Sequence, residues 1–112
     1  MAFFQSITSD GTHTLSNKAS KPISATSVLI ANKHDSSKNT IELKINDGST
    51  SYTFLKTVIP SKTSLSFDLP QYNPATYSLE LTTDDGSGAT AIDVTISGTR
   101  AFTASEFKSI ST

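Results

Sequence analysis

The sequence predicts an all-β domain, an antiparallel β-sandwich of immunoglobulin-like or jelly-roll-like type. Ser and Thr make up about a third of the chain, and these residues suit pleated surfaces and turns. Short runs with alternating apolar residues recur along the sequence, and turn signals separate them about every 8–12 residues. The 112 residues are predicted to form a single domain, 1–112. A small closed barrel is the alternative architecture within the all-β class.

The first half of the chain predicts four strands, at 2–8, 11–16, 26–32 and 40–46. The third strand is a nearly continuous apolar run and is expected to be buried. The fourth alternates, with Ile41, Leu43 and Ile45 on one face. Pro22 places 18–24 in a loop, because proline cannot donate to a central ladder.

A hairpin is predicted where Asp47 and Gly48 follow the fourth strand. An Asp-Gly pair favours a two-residue type I′ turn, which would set Leu43 opposite Tyr52 and bring the apolar sets of both strands onto one face. An unbulged three-residue loop would bury polar residues instead, so the two-residue turn is the prediction.

The second half predicts strands before and after a corner at Pro60, and two more at 76–83 and 90–97. The same alternation predicts a second hairpin around the turn at 84–89, with Leu81 opposite Ile92. After this hairpin the period changes. Thr103 begins a capping-box pattern, so a short C-terminal helical turn is predicted over 104–110, with a frayed arm as the competing interpretation.

The two ends of the chain are rich in phenylalanine. Termini are normally loose and polar unless something holds them. Segments 1–8 and 100–112 are therefore predicted either to pack on their own domain or to act as assembly arms. The predicted assembly contacts are Phe3, Phe4, Phe102 and Phe107.

Composition argues against several classes of function. Nine basic and ten acidic residues are scattered and give a net charge of −1, so no basic patch for nucleic acid is expected. Cysteine is absent, which excludes a disulfide framework and a thiolate metal site. No secretory signal and no apolar run long enough for a membrane span is recognised, so synthesis in the cytoplasm is expected.

Few residues suggest chemistry. The acidic turn at 84–88 offers oxygen atoms but lacks the spaced ligand set of a calcium loop, so no metal site is predicted. His13 and His34 are expected in polar surroundings without a convergent nucleophile, and the prediction is a protein that is not an enzyme and has no cofactor. Tyr72, in a loop with two prolines, is predicted to be an exposed aromatic contact, as in a carbohydrate-binding module.

Four segments together resemble small virion structural proteins of tailed bacteriophages, especially marine and cyanobacterial phages. They are an apolar strand ending in Ala-Asn-Lys, a strand running into an Asn-Asp-Gly hairpin, an Ile-Pro corner with Thr-Ser-Leu, and a Tyr-Ser-Leu strand. These patterns cover about half of the chain, at Val28–Lys33, Thr40–Gly48, Ile59–Leu65 and Tyr77–Leu81.

The resemblance implies a non-enzymatic virion protein, most specifically a capsid decoration or knob protein that binds the capsid shell. It implies that the partners are the major capsid protein or other virion proteins, and that copies form a homo-oligomer or symmetric array on the virion. A neck or tail component, including a receptor-facing module, is the nearest alternative, and a carbohydrate-binding module is a further one. The motifs include no catalytic or ligand-binding residue.

Overall fold

A computed structural model describes residues 2–18 and 23–100 of the chain. The predicted helical turn over 104–110 lies outside the described residues. The described part contains eight β-strands, numbered in chain order: β1 Ala2–Ile7, β2 Gly11–Ser16, β3 Ile23–Asn32, β4 Asn39–Asn46, β5 Ser51–Ile59, β6 Thr63–Asp68, β7 Ser78–Asp84 and β8 Ile92–Arg100.

The strands form two four-stranded antiparallel sheets. The first sheet has the order β1-β8-β3-β6 and the second has the order β2-β7-β4-β5. Apart from the β4–β5 hairpin, each connection passes from one sheet to the other. This order is the eight-stranded jelly roll, so the predicted all-β sandwich is confirmed and is of the jelly-roll type.

The core lies between the sheets and is built from aliphatic side chains on the inner faces. Each strand alternates between this core and the outer surface, as the pleat requires. The largest fully buried apolar side chains are Ile7, Val28, Ile30, Ile41, Leu43, Ile59, Leu79, Leu81, Ile92 and Val94.

The first predicted hairpin exists, but its two-residue turn is wrong. The Asp47 carboxylate accepts hydrogen bonds from the amides of Ser49 (2.9 Å) and Thr50 (2.8 Å), and the Asp47 amide donates to the Thr50 carbonyl at 3.1 Å. The loop therefore spans 47–50, and Asn46 pairs with Ser51.

A bulge in β5 then shifts the register of the β4–β5 ladder by one residue. Ile45 pairs with Tyr52, but the ladder shifts at Phe54, so Leu43 pairs with Leu55 instead of the predicted Tyr52. Without this extra residue, Lys56 would face the core. With it, Lys56 lies on the outer face opposite Glu42.

The second predicted hairpin is also wrong. β7 and β8 belong to different sheets, where Leu81 pairs with Leu43 and His13, and Ile92 pairs with Ile7 and Asn32. Both strands point their apolar residues into the same core from opposite sides. An alternating pattern is identical for strands that pair and for strands that face each other across a core.

Candidate interaction surface

The outer face of the first sheet carries an exposed apolar row. Phe4 of β1 pairs with Thr95 of β8, Thr95 pairs with Leu29 of β3, and Leu29 pairs with Ser66 of β6. Residues that pair share a face, so these four side chains form one row across the sheet. Phe4 is 78% exposed and Leu29 is 42% exposed. We call this row and the two outward-facing rows beside it the Phe4 face.

The Phe4 face is poor in charge. Its two flanking rows contain only alanine, serine and aspartate side chains, and their only charged residues are Asp68 and Asp93. Asp68 lies on the edge strand β6, whereas Asp93 lies on the central strand β8. The row that contains Phe4 and Leu29 has no charged side chain, and its other two members, Thr95 and Ser66, are small.

Asp93 has partners within the chain. Its carboxylate accepts a hydrogen bond from the Ser6 hydroxyl at 2.7 Å and pairs with the Lys33 ammonium group at 3.1 Å. These contacts, the Ser6 hydrogen bond first, lower the pKa of Asp93 below its ordinary value. Asp93 is thus a charge already compensated at the border of the face.

The outer face of the second sheet is different. One of its rows places Glu42 between Thr82 and Lys56, and the next places Lys44 between Glu80 and Thr53. Opposite charges on neighbouring strands stabilise such a face in water. The Thr53 hydroxyl donates to the Glu42 carboxylate, and this hydrogen bond is the largest influence lowering the pKa of Glu42. This surface has the composition of a hydrated exterior.

The predicted assembly residues are divided between the core and the surface. Phe3 pairs with Ile96 and packs against the core, whereas Phe4, its neighbour, points outward. Phe102 and Phe107 lie outside the described residues. The structure thus places one of the four predicted contacts, Phe4, on an exposed surface.

Tyr72 is half-buried rather than exposed, which differs from the prediction. Its ring packs at 6.2 Å from the ring of Phe54, the residue at the β5 bulge, and both lie against the core. Within the described residues its hydroxyl is buried without a hydrogen-bond partner, and burial raises the pKa of Tyr72. The more exposed aromatic at this end is Tyr52, which is 51% exposed and meets Tyr77 edge-on at 6.4 Å.

The acidic turn folds around its own carboxylates. Asp10 joins Asp84 and Asp85 there, with one carboxylate oxygen from each within 4.8 Å of the others. The Asp85 carboxylate accepts from the amides of Ser87 (2.9 Å), Gly88 (2.7 Å) and Ala89 (2.9 Å). Asp84 accepts from an amide of the same loop, and Asp10 accepts from the Asp85 amide at 3.3 Å. These oxygens accept hydrogen bonds from amides of the turn itself and so stabilise the loop.

Each histidine ring lies against backbone groups that are close to it in sequence. His34 Nδ1 accepts from the amides of Ser36 (3.1 Å) and Ser37 (2.9 Å), which fixes the loop after β3. His13 Nε2 lies 2.9 Å from the Ser9 carbonyl. Both rings therefore hold backbone groups within the described residues.

The sequence pattern failed to reveal Leu29 as a surface residue. It lies within a run of apolar residues, and such a run predicts burial on both faces. In the structure only alternate members, Val28 and Ile30, are buried.

No helix in the described ranges is long and apolar enough to cross a membrane.

Comparison with known proteins shows the fold. No protein-family model matches the chain, and no curated protein sequence matches it. Among solved structures, PirA is similar with a TM-score of 0.56 and 12% identity, covering 86% of this chain and 93% of PirA. The core of Drosophila NLP, described in terms of pentamer formation and histone binding, has a TM-score of 0.50 and 10% identity, covering 91% of this chain and 100% of that one.

A pentameric capsid protein from metagenomic phage sequences is also similar. Its TM-score is 0.49 and its identity 14%, and the likeness covers 88% of this chain and 62% of the capsid protein. At these identities PirA and the NLP core share a fold with this chain and do not reveal its function.

Proposed function

We propose that this chain is a non-enzymatic structural protein of a phage virion, a decoration protein that binds the capsid shell. The observation that carries the proposal is the Phe4 face. A surface whose charged side chains are limited to Asp68 and the Lys33–Asp93 ion pair, and which exposes Phe4 and Leu29, resembles the centre of a protein–protein interface, where charged residues are depleted and aromatic residues enriched.

The size of this face suits a contact that is repeated many times. Four strands spaced about 4.8 Å apart, and about six residues along each strand, give a patch of roughly 20 by 20 Å. This is smaller than the roughly 800 Å² per partner of a standard stable interface. A symmetric shell offers the same contact at many positions, and an array of copies gains avidity from contacts that are individually weak.

The fold and the sequence pattern support the same proposal. Jelly rolls include viral capsid domains as well as lectins, so the topology is compatible with a virion role without selecting it. The segments from Val28 to Leu81 that resemble small phage virion proteins favour the capsid over the lectin. The major capsid protein is accordingly the proposed partner, and the virion the proposed location.

The test is binding to phage particles from the source of the sequence. The purified chain is sedimented with particles that lack it, and compared with Thr95→Arg, which places a charge at the centre of the Phe4 face. Thr82→Arg, at an outward position on the second sheet, is the matched control. We expect the wild-type chain and Thr82→Arg to sediment with the particles and Thr95→Arg to remain in the supernatant. A wild-type chain that stays in solution, or equal binding by both variants, contradicts the proposal.

Cryo-electron microscopy of the same particles separates the capsid from the neck and tail. Density at every equivalent capsid position, with the Phe4 face inward, supports a decoration protein. Density confined to the neck or tail supports the alternative virion role instead.

A carbohydrate-binding module is the second candidate, and exposed Tyr52 beside Tyr77 is the observation that favours it. Exposed aromatic rings are contact residues for sugars, although this chain has no tryptophan. Retention of the chain on immobilised polysaccharides, lost in Tyr52→Ala and kept in Thr95→Arg, would favour this function over capsid binding.

A further inference from the structure

The chain contains three Asp-Gly pairs, and each lies where a loop meets a strand. They are Asp10-Gly11, Asp47-Gly48 and Asp85-Gly86. In such a pair the glycine amide nitrogen can attack the side-chain carboxyl carbon of the aspartate, because glycine has no side chain to obstruct the approach. We propose that Asp47-Gly48 is the pair that reacts in the folded chain, which makes Asp47 a site of spontaneous conversion to isoaspartate.

The reaction needs only water as a co-reactant. A bond forms between the Gly48 nitrogen and Cγ of the protonated Asp47 carboxyl group, and the hydroxyl group leaves as water together with the amide proton. The product is a cyclic imide. Water then opens the imide at either carbonyl carbon. Opening at Cγ restores aspartate, whereas opening at the main-chain carbonyl gives isoaspartate, in which the main chain runs through the former side chain.

The Asp85 carboxylate is held through both of its oxygens. Its Oδ1 atom accepts from the amides of Ser87 and Gly88, and its Oδ2 atom accepts from the Ala89 amide at 2.9 Å. The carboxyl group can turn towards the Gly86 nitrogen only by breaking hydrogen bonds on both oxygens. The fold therefore opposes the reaction at Asp85.

Asp10 is held by residues that are distant in sequence. Its Oδ1 atom accepts from the Thr90 hydroxyl and from the Asp85 amide. Gly11, which carries the attacking nitrogen, belongs to β2 and pairs with Thr83 of β7. Both reacting groups are thus fixed by the sandwich itself.

Asp47 is held less firmly. Its Oδ1 atom accepts from the amides of Ser49 and Thr50 and from the Ser49 hydroxyl, whereas its Oδ2 atom has no hydrogen bond within the described residues. Gly48 is exposed, so water reaches the loop. Fewer contacts oppose the turn of this carboxyl group towards the Gly48 nitrogen than oppose the same turn at Asp85.

Lys18 activates the attacking nitrogen at this pair. Its ammonium group donates to the Asp47 carbonyl, which belongs to the same peptide unit as the Gly48 nitrogen. A cation placed there stabilises the negative charge that develops on the unit as the nitrogen loses its proton. Among the described residues no side chain donates to the Asp85 carbonyl, so that pair lacks the activation.

Asn46 has the opposite effect. The Gly48 amide donates to the Asn46 Oδ1 atom at 2.6 Å. This hydrogen bond must break before the nitrogen can attack the Asp47 carboxyl group. Asn46 therefore slows a reaction that Lys18 favours.

The modification would alter the β4–β5 hairpin. Isoaspartate adds a carbon atom to the main chain of the loop and removes the side-chain carboxylate that accepts from the Ser49 and Thr50 amides. The hairpin of an aged molecule should consequently be less stable than that of a new one. This inference concerns the chain itself and holds whatever the domain binds.

Mass spectrometry of tryptic peptides tests the inference on the stored full chain. The three Asp-Gly pairs fall on separate peptides, 1–18, 45–56 and 63–100. Electron-transfer fragmentation distinguishes isoaspartate from aspartate at a given position. Isomerisation leaves the peptide mass unchanged, so it is separated from deamidation of Asn46, which raises the mass. The synthetic peptide INDGSTSYTFLK, residues 45–56, gives the rate for an unrestrained pair.

We expect isoaspartate to accumulate in the folded chain faster at Asp47 than at Asp10 or Asp85, and more slowly than in the synthetic peptide. Asn46→Ala should raise the rate at Asp47 roughly fivefold, which is the effect of losing one ordinary hydrogen bond. Lys18→Met keeps most of the aliphatic stem, removes the ammonium group and should lower the rate.

Ser51→Ala is the matched control for Asn46→Ala. It removes the other hydrogen bond of the Asn46 side chain, which donates from Nδ2 to the Ser51 hydroxyl at 3.0 Å, and leaves the Gly48 amide bonded. Its rate at Asp47 should equal that of the wild-type chain. Asn46→Asp keeps an acceptor oxygen and should also remain slow. Urea midpoints confirm that all variants are folded, and the rate at Asp85 is the internal control in each.

Four results would overturn the inference. Isoaspartate may not appear at Asp10 or Asp85 as fast as at Asp47, and Asp47 may not remain unmodified after the synthetic peptide has fully converted. A wild-type rate equal to that of the peptide would show that the loop does not restrain the reaction. A rate that neither Asn46→Ala nor Lys18→Met changes would remove the roles assigned to these two side chains.

Discussion

Gly98 of β8 lies against Ser24 of β3 so closely that a Cβ atom on residue 98 would stand 2.4 Å from the Ser24 carbonyl oxygen. The same Cβ would stand 2.8 Å from the Cα atom of Ala25. The close approach occurs at a bulge, where Ala25 pairs with Gly98 but Ser27 pairs with Ser97. The extra residue is Thr26, whose hydroxyl donates to the Ser97 carbonyl at 3.1 Å and whose backbone carbonyl accepts from the Leu69 amide at 2.9 Å. Through Thr26, the bulge in β3 is hydrogen-bonded to β8 on one side and to the loop that follows β6 on the other.

Gly98→Ala should destabilise the domain. The added methyl group meets backbone atoms that cannot move without disturbing the bulge, and overpacking of this kind costs about 1–3 kcal/mol. Urea unfolding followed by circular dichroism measures the change. Thr99→Ala, at the next and exposed position, is the control and should change the free energy of unfolding by less than about 0.5 kcal/mol. Equal midpoints for Gly98→Ala and the wild-type chain would show that the two strands are further apart than described.

Asn32 is a buried polar side chain that joins the loop after β3 to the end of β5. Its Nδ2 atom lies 3.0 Å from the Ser37 carbonyl and 3.1 Å from the Ile59 carbonyl, and its Oδ1 atom accepts from the His34 amide at 3.2 Å. Asn32→Ala would leave these groups without their partner in a buried site. We expect a loss of about 2–3 kcal/mol in the free energy of unfolding, measured in urea.

Asn73→Ala is the control for this prediction. Asn73 is exposed, and its side chain accepts one hydrogen bond within a surface loop, from the Ala75 amide at 2.9 Å. Its replacement should cost clearly less than that of Asn32. If both variants lose the same free energy of unfolding, burial of the Asn32 hydrogen bonds does not add to their stabilising effect.

Gly48 adopts a backbone conformation, with φ of 109°, that residues with a Cβ atom rarely adopt. Gly48→Val should therefore destabilise the β4–β5 hairpin by about 1–3 kcal/mol, through backbone strain. Thermal unfolding compares this variant with Thr50→Ala in the same loop, which keeps the backbone hydrogen bonds and should unfold close to the wild-type temperature. An unchanged unfolding temperature for Gly48→Val would contradict the described loop.

Alternation along the strands was sufficient to predict a sandwich, because it identifies which residues face the core. It was not sufficient to predict pairing. Leu81 and Ile92 both face the core, yet they lie in different sheets, and the turn between them connects the sheets. Strand order depends on contacts between distant segments, which a local pattern does not contain.

The candidate surface was predictable only in part. Phe4 was identified because an apolar residue near a terminus is unusual, whereas Leu29 was hidden within an apolar run. Tyr72 was expected to be exposed because it lies in a loop, but the Phe54 bulge gives its ring a packing partner. A bulge depends on the alignment of two strands, so it is not visible in either strand alone.

The last prediction concerns the acidic loop before β8 and its response to pH. The hydrogen bond from the Ser87 amide, assisted by those from Gly88 and Ala89, holds the pKa of Asp85 below its ordinary value. A carboxyl group with a lowered pKa in the folded chain takes up protons more readily when the chain unfolds. Its stabilising effect is therefore present above the ordinary pKa of about 3.9 and is lost as the pH falls through the folded value.

Asp85→Asn should consequently flatten the acid limb of the stability profile. The amide oxygen can still accept hydrogen bonds from the loop, but the side chain no longer titrates. Urea midpoints measured from about pH 6 to about pH 3 should fall less steeply for this variant than for the wild-type chain. Asp35→Asn is the control, because Asp35 is exposed and makes no hydrogen bond or ion pair within the described ranges. An acid limb equally steep in Asp85→Asn and the wild-type chain would mean that the charge of Asp85 does not stabilise the loop.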